Sequence, residues 1–341
     1  VMKRGLPPKG VTGLPQPEKK LPLGRSFAPL PWDEFFDSKT TVNLDGDRFN
    51  VYLKGDSGPV FYFLHGGGYS GLTWACLAKE LHDRVVCRSV APDLRGHGDT
   101  ECENPEDLST ERQVEDITRV LSSLFPSSSS ESSGDATTPV IVVGHSMGGA
   151  LAAHAVSKLL QTVSGVRIVG LAVIDVVEGT AMDALSMMST FLRSRPAHFE
   201  SEEAAIKWCL QSGTVRNSRA ARVSFPSQVR RRDDGQYHWR INLLRSEVHW
   251  AGWFRGLSST FLSCTPPKML VLAGTDRLDK ELMIGQMQGK FQTTVVPRVG
   301  HAVQEDSPDH LADELARFAV RYGNRSFIIY LTICSLPVLQ V

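Results

Sequence analysis

The 341-residue chain balances 37 Lys and Arg against 37 Asp and Glu, so its formal net charge is zero. Such a balance generates no long-range field for nucleic acid or an acidic membrane surface, and any partner must be recognised by local features. The length suits one large α/β domain with an insertion, or two ordinary domains, with room for a deep pocket. The cysteines, Cys76, Cys87, Cys102, Cys209, Cys264 and Cys334, are scattered without a C-x-x-C pair, which fits a reducing compartment.

Val1 to Lys20 is rich in Pro, Gly and Lys and has no continuous apolar run. Residues 1–24 are therefore expected to form a disordered arm rather than a secretory signal peptide. Short β-branched or aromatic runs then recur, at Phe49–Lys54, Val60–Leu64, Val85–Ala91, Val140–Gly144, Val166–Ile174, Met269–Gly274 and Thr293–Pro297. Segments of helical spacing alternate with them, at Thr73–His82, Ser109–Leu124, Met147–Leu160 and Pro308–Tyr322. Continuous apolar strands alternating with helices predict an α/β fold whose mostly parallel central sheet is covered by helices on both faces.

Two stretches break the alternation. The Ser-rich loop over 126–139 is polar and of low complexity, so it reads as a surface loop. From about 178 to 264 a helical, polar and aromatic segment separates two core strands, and is expected to be a cap or lid over a pocket. Residues 323–341 form an atypical apolar tail. Its Phe327–Val341 run is shorter than the ~20 residues of a spanning helix and contains Pro337, so a membrane anchor is disfavoured.

The chemistry centres on Gly144-His-Ser146-Met-Gly148, at the junction of a strand and a helix. A serine hydroxyl is a weak nucleophile unless a base takes its proton and the backbone presents it to a substrate carbonyl. In a G-x-S-x-G turn the glycines allow a sharp strand-to-helix reversal that holds Ser146 outward. Upstream, Leu64-His-Gly66-Gly67-Gly68 could expose bare amides. One of these, with the amide of Met147, would hold a tetrahedral oxyanion, each donor contributing roughly 3 kcal/mol. No G-K-[ST] follows these glycines, which argues against a phosphate loop.

Downstream, His301 lies in a loop between the last core strand and the C-terminal helix, where the base of a Ser, acid, His chain order belongs. His65, His97 and His145 could line the pocket but are expected to serve structure. The acid is left open by the residues themselves. Asp175 ends one strand run, whereas Asp276 and Asp279 follow the next, and the later position is the usual one for an α/β-hydrolase fold.

Beyond these generic elements the segments "LHGGGYSGLTWA", "GHSMGGA", "IDVVEGTAMDAL", "AGTDRLDKELMIGQMQGKFQ" and "GHAVQEDSPD" resemble the protein phosphatase methylesterase family over roughly residues 25–322. The resemblance implies an α/β-hydrolase without a cofactor or metal, located in cytoplasm and nucleus. Its reaction would remove the methyl ester from the C-terminal leucine of the type 2A protein phosphatase catalytic subunit, which would be its partner. It also implies that Asp175 is the acid, with Asp276 a supporting residue or the alternative acid, completing a set of Ser146, Asp175 and His301 with oxyanion donors at Gly66, Gly67 and Met147. Two other readings are a broad small-molecule esterase or lipase, and a binding protein that sequesters the phosphatase without hydrolysis.

Overall fold

The computed structural model describes residues 26–126, 137–274 and 278–322. In chain order its strands are β1 (Ser38–Leu44), β2 (Asp47–Lys54), β3 (Val60–Leu64), β4 (Arg88–Pro92), β5 (Thr138–His145), β6 (Val166–Ile174), β7 (His198–Phe199), β8 (Val229–Arg231), β9 (Tyr237–Trp239), β10 (Lys268–Leu272) and β11 (Gln292–Val295). The α-helices are α1 (Ala75–His82), α2 (Thr110–Leu124), α3 (Met147–Lys158), α4 (Glu178–Ser194), α5 (Glu202–Ser212), α6 (Ser218–Ser224), α7 (Glu247–Phe254), α8 (Leu257–Ser263), α9 (Lys280–Met287), α10 (Val303–Asp306) and α11 (Pro308–Tyr322). The expected N-terminal arm, most of the Ser-rich loop, the apolar tail and Asp276 lie outside the described residues.

Eight strands form one sheet in the order β1-β2-β4-β3-β5-β6-β10-β11. From β4 to β11 every pairing is parallel, while β2 runs antiparallel to both of its neighbours. The sequence signals therefore predict the parallel sheet correctly, with one strand missed. That strand, β1, is the first half of a hairpin closed by Asp45-Gly46, both with positive φ (50° and 96°). An Asp-Gly pair between two strand-like runs is the signature of such a two-residue turn.

Both faces of the sheet are buried, which is why the strand runs read as continuously apolar rather than alternating. Phe61 and Phe63 of β3 and Ile141 and Val143 of β5 pack with Leu77 of α1 and Leu311, Leu315 and Phe318 of α11. Tyr62, Leu64, Val140 and Val142 point to the opposite face, toward Val114 and Ile117 of α2, Leu151 of α3 and Phe261 of α8. Each such side chain stabilises the fold by about 1.5–3 kcal/mol, so the central strands are the least movable part of the molecule.

The segment between β6 and β10 is built into both cores. Ile206 and Cys209 of α5 join the first, and Leu257 and Phe261 of α8 join the second, where α8 lies against α3. Between them stands a small antiparallel sheet, β7-β9-β8, around an aromatic cluster of Phe199, Trp208, Phe225 and Trp239. The carboxyl ends of β3, β5, β6 and β10 open together beneath this segment, the position where sheets of this kind bind ligands. No helix among the described residues is long and apolar enough to cross a membrane.

Candidate active site

β5 ends at His145 and α3 begins at Met147, leaving Ser146 alone at the reversal with φ 53° and ψ −121°. Only four non-glycine residues of the described chain have positive φ, and two of them, Ser146 and Asp175, are candidate site residues. Backbone strain of this kind costs of order 1–3 kcal/mol and persists only where packing enforces it. Here the enforcement is visible. A Cβ on Gly144 would lie 2.2 Å from the Gly148 carbonyl oxygen, and one on Gly148 would lie 2.2 Å from that of Leu64. Neither position can carry a side chain without separating α3 from the sheet, so the G-x-S-x-G spacing follows from van der Waals radii.

Asp175 occupies the corresponding turn after β6, with φ 52°. Its backbone amide donates to the Val271 carbonyl at 2.7 Å, and its Oδ1 accepts from the Ala273 amide at 2.8 Å. Oδ2 is thereby aimed away from β10 and accepts from His301 Nδ1 at 2.7 Å. The imidazole is half-exposed, whereas the carboxylate is buried. The His301 carbonyl accepts from His145 Nε2 at 2.8 Å and from the Val303 amide at 3.0 Å, which pins the loop that carries the ring. Ser146 and His301 face a common cavity, but Ser146 Oγ makes no hydrogen bond to the imidazole in this structure.

The glycine loop after β3 lies against the turn at Ser146. A Cβ on Gly66 would stand 3.2 Å from the Ser146 Cβ, and one on Gly67 3.7 Å from Met147 Sδ. The amides of Gly66, Gly67 and Met147 have no acceptor among the described residues. By contrast the Gly68 amide donates to His97 Nε2 at 2.9 Å, so it is withdrawn from the set of amides that the bare sequence offered. His65 Nε2 accepts from Leu94 at 2.9 Å, and Asp93 accepts from Gly71 at 2.7 Å. The loop after β4 therefore clamps the glycine loop at three points.

Burial decides the protonation of these clamps. It drives the His65 and His145 imidazoles well below the usual histidine range, and it lowers His97 to about 4. Burial thus favours the neutral form of all three rings, in which one nitrogen donates and the other accepts, as His65 does to the Gly66 carbonyl and from the Leu94 amide, and His97 to the Arg95 carbonyl and from the Gly68 amide. His145 keeps one orphan, its buried Nδ1, which has no partner. Burial also raises the Asp93 carboxyl to about 6 and that of Glu305 to about 7, the latter enclosed by the hydroxyls of Thr73 and Ser224.

The common cavity measures about 500 Å³. Its walls are mostly apolar, including Met188, Phe191, Phe225, Trp250 and Phe254, with Tyr69, Arg195, Thr214 and Gln228 as polar members. Apart from Tyr69, which adjoins the glycine loop, these wall residues were not legible as part of the site, because they lie in a segment, from Met188 to Phe254, that carries no catalytic motif. The aromatic enrichment of 178–264 was the sole signal. No cluster of three or more His, Cys, Asp or Glu side chains among the described residues is arranged to hold a metal. The alternative acid, Asp276, lies outside the described residues, three positions beyond the amide that holds Asp175.

A serine on a strained turn, an imidazole bonded to a buried carboxylate and unengaged amides beside them can perform acyl transfer on an ester. Comparisons with known proteins agree with that chemistry. Residues 61–314 match the model of the alpha/beta hydrolase family. The chain is 58% identical to a probable protein phosphatase methylesterase 1 of Caenorhabditis elegans over 299 residues, spanning 87% of this chain and 79% of that one. It is 43% identical to protein phosphatase methylesterase 1 of Homo sapiens, over 93% of this chain and 92% of the human one. Among solved structures, an M. tuberculosis esterase superposes with a TM-score of 0.62 at 24% identity, covering 83% of this chain and 92% of its own. E-2-(acetamidomethylene)succinate hydrolase superposes at 0.63 and 24% identity, covering 83% and 99%, and these two likenesses concern the fold.

Proposed function

This chain belongs to the protein phosphatase methylesterase family within the α/β-hydrolases, and from that membership we propose that it removes the methyl ester from the C-terminal leucine of a type 2A protein phosphatase catalytic subunit. Ser146 is the nucleophile. His301 takes its proton through Nε2 as Oγ attacks the ester carbonyl, because Nδ1 is committed to Asp175 at 2.7 Å. Asp175 fixes that tautomer and stabilises the imidazolium that forms. The amide of Met147, with Gly66 or Gly67, receives the oxyanion. His301 then returns the proton to the departing methoxide, methanol leaves, and water repeats the cycle on the acyl-enzyme to free the carboxylate.

The observation that carries this reading is the Asp175–His301 contact, which draws together residues 126 positions apart in the sequence. The lack of a Ser146–His301 hydrogen bond does not contradict it, since hydrogen bonds of this kind often tighten only in the substrate complex. An apolar cavity suits a leucine side chain and its neighbours better than a polar headgroup. The described cysteines are all unpaired, in keeping with the reducing environment of a cytoplasmic and nuclear location.

The test is incubation of the purified chain with methylated phosphatase, followed by mass measurement of the tail peptide, alongside mapping of the residue labelled by a serine-directed fluorophosphonate. Loss of the methyl group with label on Ser146 is expected. Hydrolysis of simple aryl esters with the phosphatase tail left intact would replace this reading by that of a general esterase.

A further inference from the structure

Among the described residues, Arg195 is the one Lys or Arg side chain in the wall of the cavity that holds Ser146 and His301. It follows α4 directly, and its guanidinium lies over the Trp239 ring, 4.0 Å from the centroid. Its Nε is buried and has no acceptor, and no carboxylate pairs with it among the described residues. A guanidinium so placed has given up water without gaining a counter-charge, and burial accordingly lowers it to about 10. A planar donor in a shielded site favours a carboxylate above other ligands, because the fork geometry matches two oxygens at once.

The same residue opens onto a second hollow of about 580 Å³. Leu192, Arg195 and Trp239 line both spaces and so form the partition between them. The second hollow is basic. Arg240 and Arg245 are engaged, with Asp99 at 3.0 Å and with Glu106 respectively, and His238 is held by Asp234 at 2.7 Å. Arg193 and Arg232 have no carboxylate partner among the described residues. Among the described residues, three guanidinium groups without a carboxylate partner, Arg193, Arg195 and Arg232, thus line this hollow, and its one carboxylate, Glu106, is already paired with Arg245.

We propose that Arg195, stacked on Trp239, is a subsite for an acidic side chain of the peptide that precedes the ester-bearing terminus, and that Arg193 and Arg232 extend it along the basic hollow. The proposal rests on the methylesterase reading above and names what selects the substrate for it. The strip leads away from Ser146, so the recognised carboxylate lies along the chain rather than at its end. A methyl ester is small and uncharged and offers little to distinguish one protein tail from another, which leaves specificity to groups of this kind.

The experiment compares peptides ending in leucine methyl ester, in which an Asp or an Asn occupies each upstream position in turn. The ratio of kcat/KM between the two members of a pair is read within one protein preparation, so partial loss of folded protein cancels. The full chain should favour one Asp peptide by about tenfold or more, the size of a charged hydrogen bond shielded from water. Arg195→Gln should bring that ratio near unity, Arg195→Lys should restore part of it, and Arg195→Glu should favour a Lys peptide instead. A ratio near unity in the unaltered chain, or a preference retained in Arg195→Gln, overturns the subsite. So does strong inhibition by the free-acid product of a neutral peptide that disappears in Arg195→Gln, since that would put the recognised carboxylate at the chain end. If no peptide ester is cleaved, the methylesterase reading is decided separately, by loss of the methyl group from intact methylated phosphatase. Fluorescence anisotropy with the same peptides as terminal amides then decides the subsite, tighter binding of the Asp member sustaining it and equal binding refuting it.

Discussion

Asp175→Asn isolates what the buried carboxylate does. Asp175 accepts two N–H groups at once, from Ala273 at 2.8 Å and from His301 Nδ1 at 2.7 Å, one on each oxygen. An asparagine has one carbonyl oxygen and can serve only one of them. With that oxygen toward Ala273, its NH2 faces Nδ1, and the imidazole must carry its proton on Nε2, the atom needed to accept from Ser146. With the oxygen toward His301, the NH2 confronts the Ala273 amide, and a buried donor is left unpaired at about 1–3 kcal/mol. The first arrangement avoids this cost and is expected to dominate. A triad held in the wrong tautomer loses on the order of 10⁴ in kcat, equivalent to about 5 kcal/mol of transition-state stabilisation. Steady-state hydrolysis of a short-chain ester should show that fall with KM nearly unchanged, while the urea midpoint moves little. Asp276→Asn, measured in parallel, should stay within about threefold of the unaltered chain. Retention of activity within tenfold in Asp175→Asn, together with collapse in Asp276→Asn, would refute the assignment and move the acid to the loop after β10.

Other consequences are open to measurement. Ser146→Gly should unfold at higher urea than Ser146→Ala, by about 1 kcal/mol, because glycine tolerates the φ of 53° that alanine does not. Gly148→Ala, whose Cβ would stand 2.2 Å from the Leu64 carbonyl oxygen, should cost about 3 kcal/mol or leave the protein insoluble. Gly179→Ala, whose Cβ meets nothing nearer than 3.7 Å, should be neutral or stabilising by up to about 1 kcal/mol in the same assay. Burial raises the Glu305 carboxyl from 4.5 to about 7, so the folded chain holds that proton to higher pH than the unfolded one. The resulting contribution is complete below about pH 4.5 and is lost as pH rises through about 7, amounting to about 3 kcal/mol. The stability of Glu305→Gln relative to the unaltered chain should accordingly rise between pH 5 and pH 8, and a difference independent of pH would contradict the buried proton.

Much of this protein is written locally. The strand runs around Tyr62 and Val142 are apolar without alternation because both faces of a parallel sheet are covered. Gly144 and Gly148 announce the turn at Ser146 because no side chain fits between strand and helix there. His301 is marked by its place ahead of the last helix, and the Asp45-Gly46 turn, though overlooked, carried the signal for β1 in two residues. Each of these depends on neighbours a few positions away, which a sequence displays directly. Which amides of the glycine loop stay free, which aspartate reaches the imidazole, and which side chains wall the cavity depend on residues far apart in the chain. Gly68 is lost to His97 across 29 positions, Asp175 is steered by Ala273 across 98, and Arg195 comes to lie over Trp239 between two hollows. Periodicity and spacing record the local energetics of strands and turns. They do not record where loops from separate strands converge, and that convergence, set by the packing of the whole sheet, is what builds the site.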